Sequence, residues 1–277
     1  SVVTIHDLIH ERHPEQYSPL DVMIYRKKFR YACNHARHII AISEQTKKDI
    51  AEFYKTEESK ITVCYQSCNP AFAETISEDQ KDLIRKKYEL PKRFFLYVGS
   101  IIERKNLLNI CRAMTLLQNE LQIPLVVIGE GKKYKEKVRA FIKENNLTSL
   151  VIFLSEKEIA KNSPGFMTAT DFPAIYQQAT AMIYPSFFEG FGIPVLEALW
   201  SRLPVITSNV SSLPEAAGPG GYYVSPDKPE EIASAMKKIV NDTSFTSFMI
   251  EKGREYAHKF THDKTAAAVM NVYKSVW

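Results

Sequence analysis

The chain has 277 residues, with 36 Lys+Arg against 32 Asp+Glu for a formal charge of +4, and 45% apolar and 25% charged residues. These proportions exclude a disordered segment, because enough apolar surface exists to offset the entropy of ordering the chain. No apolar run reaches the ~18–20 residues that a bilayer crossing needs, and so mild a charge gives no argument for nucleic acid.

Short apolar runs alternate with helix-period segments throughout. The first strands are predicted at Val2–His6, His38–Ile42 and Ile61–Tyr65, with helices at Leu20–His35 and Glu44–Tyr54 between them. A boundary follows, marked by Asn69–Pro70, a charged amphipathic stretch from Asp79 to Lys87, and Leu90–Pro91. Beyond it, strands are predicted at Phe94–Val98, Leu125–Ile128, Val151–Leu154, Ala181–Tyr184, Pro204–Thr207 and Tyr222–Val224. The helices between them are expected at Asn106–Asn119, Lys132–Asn145, Asp171–Gln178, Pro194–Ser201 and Pro229–Asn241. Strand–helix–strand repetition of this kind reads as an α/β protein with doubly wound parallel sheets. The boundary divides it into a first unit over residues 1–75, a second over 76–258 and a closing helix in 259–277.

Four cysteines, Cys33, Cys64, Cys68 and Cys111, lack the His companions of a zinc site. They read as reduced thiols in a cytoplasmic protein, and no metal is expected.

Three clusters could carry chemistry. The sharpest is Pro185-Ser186-Phe187-Phe188-Glu189-Gly190-Phe191-Gly192-Ile193-Pro194-Val195-Leu196-Glu197, between a strand and a helix entered at Pro194. Proline suits a first helical turn, and strand ends that feed helix starts are where open α/β sheets bind ligands. Gly190 and Gly192 let the backbone approach a ligand closely and present amide donors. Glu189 in the loop and Glu197, expected in the first helical turn, could face one pocket. Two isolated glutamates would more often be a solvated turn residue and a partner for the helix dipole, but the glycines and proline in register favour a site. Next is Gly99-Ser100-Ile101-Ile102-Glu103-Arg104-Lys105-Asn106, with Asn106 expected to cap a helix. Arg104 and Lys105 beside that helix start read either as an anion site or as a solvated basic pair. The third is Thr4-Ile5-His6-Asp7-Leu8, where His6 ends the first strand. A lone His is more often structural than functional.

Two nucleotide motifs are absent. Gly129-Glu130-Gly131 starts like a dinucleotide fingerprint, but Tyr134 takes the third glycine position, which disfavours NAD. No Asp-x-Asp pair exists to clamp a metal-bound diphosphate. Any diphosphate would have to be met by Arg104, Lys105 and helix termini.

Taken together, the motifs resemble glycosyltransferase family 4, retaining enzymes of the GT-B architecture with two Rossmann-like units. The resemblance rests on His6-Asp7-Leu8, Ile40-Ala41-Ile42-Ser43-Glu44-Gln45-Thr46, Tyr97-Val98-Gly99-Ser100, Arg104-Lys105-Asn106, the run from Asp171 to Glu197, and Pro204–Glu215 with its Ser211-Ser212-Leu213-Pro214-Glu215 ending. It implies a nucleotide-sugar donor (UDP- or GDP-linked), a lipid-linked or polysaccharide acceptor, and no cofactor. By the same resemblance, Gly99, Arg104 and Lys105 would receive the diphosphate and Glu197 the ribose. Glu189, with Gly190, Phe191 and Gly192, would hold the sugar, and His6 would reach the reaction centre from the other unit. Family members usually have further strands ahead of the His-Asp-Leu strand, so the first unit is expected to be incomplete, with an exposed edge and an uncovered apolar face open to self-association. Such a chain would bind donor through its second unit and transfer poorly alone. The segment Ser155–Thr170 is longer than the short turn expected there. A binding module without turnover and a sugar-nucleotide epimerase are the competing readings. The basic helix Leu20–His35 reads either as a solvated face or as a peripheral contact with anionic lipid.

Overall fold

The computed structural model describes residues 1–277 and contains two parallel sheets, one of three strands and one of six. In the first, β1 (Val2–Ile5) leads through α1 (Ile9–Arg12) and α2 (Pro19–His35) to β2 (His38–Ala41), then α3 (Glu44–Tyr54) and β3 (Ile61–Val63). The strands run β1-β2-β3, with Val2 opposite His38 and Ile39 opposite Ile61. β2 takes the centre because Ile39, Ile40 and Ala41 are apolar on both faces and all are buried. One face packs against Leu8, Cys33, Ile50 and Tyr54.

The second unit opens with α4 (Glu78–Tyr88) and continues through β4 (Phe95–Val98), α5 (Leu107–Leu117), β5 (Leu125–Ile128), α6 (Lys133–Glu144) and β6 (Val151–Phe153). Three short helices, α7 (Glu158–Lys161), α8 (Pro164–Met167) and α9 (Phe172–Tyr176), lead to β7 (Ala181–Tyr184). Then come α10 (Ile193–Trp200), β8 (Val205–Ser208), α11 (Leu213–Ala217), β9 (Gly221–Val224), α12 (Pro229–Asn241) and α13 (Thr243–Ala257). The sheet order is β6-β5-β4-β7-β8-β9, so chain direction across the sheet reverses between β4 and β7. Ligands of open α/β sheets bind at that reversal, outside the carboxyl ends of the strands.

All nine predicted strands form, two with the expected bounds and the others with ends shifted by one or two residues. The apolar face expected to be bare on the first sheet is covered. α14 (His262–Val276) returns from the second unit and lays Val272 and Val276 against Ile40 and Cys64. β1 does pair on one side only. The long segment after β6 is folded: Ala160 of α7 is fully buried, and Glu156 accepts from Lys135 at 2.6 Å and from Arg139.

Candidate active site

The loops after β4 and β7 meet at the reversal point and bring Arg104, Lys105 and Glu189 into one buried cluster. Arg104 and Lys105 lie in a single 3-10 turn, Glu103–Lys105, just ahead of α5. Arg104 Nη1 sits 3.0 Å from Glu189 Oε2, and Lys105 Nζ sits 3.1 Å from Glu189 Oε1. Lys105 also donates to the Tyr184 hydroxyl at 2.5 Å, and that hydroxyl donates to Glu189 Oε1 at 3.0 Å. Glu189 is only 8% exposed, so it is not a solvated turn residue. Burial pushes its carboxyl up, but Lys105 and Arg104 more than offset this and hold it below the ordinary value. Two cations against one carboxylate leave a single net positive charge. Arg104 Nε is buried without a protein partner.

Backbone geometry explains the glycines and the failed cap. Asn106 has φ +63 and makes no cap; its Nδ2 donates instead to the carbonyls of Pro185 at 2.9 Å and Pro226 at 2.8 Å. It thereby ties the two loops together. Gly99 lies beneath Lys105, whose Cδ would be 3.1 Å from a Cβ there. The near-miss pair is also structural, since a Cβ on Gly129 would come within 1.9 Å of the Gly99 carbonyl oxygen. Ser211 Oγ accepts from Glu189 N at 3.0 Å, and Ser212 Oγ donates to the carbonyls of Glu189 at 2.8 Å and Phe191 at 3.0 Å.

Glu197 stands differently from expectation. α10 begins at Ile193, so Glu197 lies in its second turn, not its first. It is half-buried, accepts from Tyr176 at 2.8 Å and shares no hydrogen-bond partner with Glu189. Burial pushes its carboxyl above the ordinary value, opposed by the Tyr176 bond. The Phe191 side chain is 2% exposed and packs on Tyr65 and Phe260, with ring centroids 5.7 and 5.4 Å away. Only its backbone can face the cleft.

The first unit meets this loop directly. A Cβ on Gly190 would come within 2.3 Å of the His6 carbonyl oxygen, so Gly190 is what allows the approach. His6 is exposed just past the end of β1, with Gln66 Nε2 3.3 Å from its Nδ1. Ser43 Oγ donates to the Gly190 carbonyl at 2.6 Å. The sequence reading assigned no role to Tyr184, Tyr176, Ser43, Ser211 or Ser212. All five lie in motifs it singled out, and Tyr184 ends a strand at the reversal point.

The family model described as Glycosyl transferases group 1 matches residues 80–256, well over half of the chain. The chain belongs to the glycosyl transferases group 1 family. A second family model, Glycosyltransferase Family 4, matches residues 1–72. Among curated relatives of this group 1 chain, O-antigen chain mannosyltransferase B of Escherichia coli is 25% identical over 277 residues, covering 99% of this chain and 70% of the relative. O-antigen chain mannosyltransferase RfbU of Salmonella typhimurium is 27% identical and covers 86% of this chain and 60% of its own length. The chain thus spans about 60–70% of these relatives. Of solved structures, HepE of Anabaena in complex with UDP and glucose superposes with a TM-score of 0.78 at 17% identity, over 99% of this chain and 70% of that one. WaaG, a glycosyltransferase involved in lipopolysaccharide biosynthesis, gives 0.74 at 20% identity, over 98% and 73%. These likenesses establish the GT-B-like fold.

Proposed function

We propose that this chain takes a sugar, mannose first among candidates, from a UDP- or GDP-linked donor and passes it to a hydroxyl of a lipid-linked or polysaccharide acceptor. The observation that carries the reading is the buried Arg104–Lys105 pair at the sheet reversal, with Arg104 Nε lacking a protein partner. Two relatives named as mannosyltransferases of O-antigen chains support the sugar and the polymer. In the reaction the bond from the anomeric carbon to the diphosphate breaks, and its electron pair leaves with the phosphate oxygen. The acceptor oxygen bonds to that carbon and gives up its proton to the departing diphosphate oxygen. Preorganised cations stabilise the charge that builds on the leaving diphosphate, so the proposed scheme is metal-independent. The diphosphate would take the place of Glu189 on Arg104 and Lys105. That frees the Glu189 carboxylate, with the amides of Gly190, Phe191 and Gly192, for the sugar hydroxyls. Glu197 would hold the ribose, and His6 would border the reacting carbon from the first unit. Retention of configuration is part of the proposal, on the family resemblance.

The acceptor side falls to residues 1–75, the donor side to residues 76–258, with residues 259–277 closing back on the first sheet. On α2, Leu20, Met23 and Tyr31 are at least 60% exposed among Arg26, Lys27, Lys28 and Arg30. We read this face as a peripheral contact with anionic headgroups at the cytoplasmic membrane surface, where a lipid-linked acceptor would lie. Salt-sensitive binding to anionic vesicles supports that contact, and equal binding to neutral vesicles refutes it. No helix is long and apolar enough to cross a membrane. The one-sided pairing of β1 offers an edge for self-association.

Incubation with nucleotide sugars and a saccharide acceptor, with products read by mass spectrometry, tests the reading. An acceptor one hexose heavier is expected. An epimerised nucleotide sugar, or donor binding without transfer, would replace it with one of the competing readings.

A further inference from the structure

The amino end of α3 is completed by a residue of the other unit. A helix start leaves four N–H groups without partners inside the helix. Here Ser43 Oγ accepts from one of them, Thr46 N, at 3.0 Å, and the helix's own bonds begin with Lys47 N donating to the Ser43 carbonyl at 3.0 Å. Two more of the four, those of Glu44 and Gln45, point across the cleft. Glu44 N donates to Glu215 Oε2 at 2.7 Å and Gln45 N donates to Glu215 Oε1 at 2.9 Å. A carboxylate that accepts two backbone N–H groups at a helix start is held by charge-assisted bonds and by the helix dipole. Glu215 is itself fixed, because it sits on α11, and Tyr256 donates to its carbonyl at 2.9 Å. The same turn of α3 grips the donor-side loop, since Ser43 donates to the Gly190 carbonyl. Gly190 in turn lies against His6.

We propose that Glu215 is a positioning residue whose carboxylate, by capping α3 across the cleft, sets the register of the two units that brings His6 against the Gly190 loop. It touches none of Arg104, Lys105, Glu189 or Glu197, so it acts on closure and not on donor contacts. The proposal rests on the reading of the cleft given above. Without the cap, α3 exposes two bare N–H groups to the second unit, and of the cross-cleft hydrogen bonds made by its first turn only those of Ser43 and Thr46 to the Gly190 carbonyl remain.

The test uses the whole chain with spin labels on cysteines introduced at the exposed positions Lys55 and Glu144, one in each unit; the four native cysteines are buried. Pulsed distance measurements are made on this background and on it with Glu215→Ala or the isosteric Glu215→Gln. The unaltered cap should give one narrow distance, Glu215→Ala a broad and longer distribution, and Glu215→Gln an intermediate one, because its amide oxygen can still accept one N–H. Nucleoside diphosphate affinity should stay within about twofold, while kcat for transfer falls about tenfold or more, as expected for losing a charge-assisted bond that acts at closure. Unchanged distances in both variants would overturn the proposal, as would affinity and kcat falling together. If the unaltered chain binds no nucleoside diphosphate, the functional reading fails, while the distances still judge Glu215.

Discussion

Lys105→Ala is the sharpest perturbation of the donor site. The ammonium donates to Tyr184 at 2.5 Å and lies 3.1 Å from Glu189, in a side chain only 13% exposed. Removing it leaves Glu189 paired with Arg104 at 3.0 Å, so the carboxylate is not stranded and the chain should still fold. What is lost is one charge-assisted bond to a phosphate oxygen, worth about 1.5–3 kcal/mol. At roughly 1.4 kcal/mol per decade, Kd for a nucleoside diphosphate should rise about ten- to hundredfold. The matching nucleoside lacks the phosphates, so its Kd should change by less than about twofold, within the spread of an indirect effect. Isothermal titration of both ligands into both proteins reads the difference. Equal losses for nucleoside and nucleoside diphosphate would refute the phosphate role of Lys105.

Glu197→Gln should weaken ribonucleotide binding about tenfold and the 2′,3′-dideoxy analogue far less, since a charged acceptor for the ribose hydroxyls is lost; equal losses would return Glu197 to a partner of Tyr176. The carboxyl of Glu189 is held below its ordinary 4.5, so its stabilising contribution is complete above about pH 4.5 and disappears as pH falls through the folded value. Thermal melts taken as pH falls from above the ordinary carboxylate value to below it should therefore be flatter in Glu189→Gln than in the unaltered chain, and parallel curves would contradict the pairing. Gly190→Ala places a methyl 2.3 Å from the His6 carbonyl oxygen. Overpacking of this kind should cost about 1–3 kcal/mol in a denaturant melt, and no change would deny the close approach.

The strands were legible because a sheet covered on both faces demands apolar runs such as Leu125–Ile128, bounded by Pro124 and Gly129. Glu189, Arg104 and Lys105 were legible one by one, as polar residues at strand ends. Their ion pairing was not, because it depends on β7 lying beside β4, and strand order is a long-range property. The same limit hid Glu215, whose partners Glu44 and Gln45 are some 170 residues away. Local errors had local causes. Asn106 looked like a cap by residue type, but its left-handed backbone turns the side chain toward Pro185 and Pro226. Glu197 was expected in the first turn of its helix because Pro194 suits a helix start, but α10 already begins at Ile193.

The most direct test of the central claim is a crystal structure of the chain with a GDP- or UDP-linked sugar bound. The account predicts diphosphate oxygens within about 3 Å of Lys105 Nζ and the Arg104 guanidinium, the ribose on Glu197, and Glu189 turned from the cations to the sugar hydroxyls. A nucleotide bound elsewhere, or a diphosphate in the cleft with Glu189 still paired to Arg104 and Lys105, would contradict it.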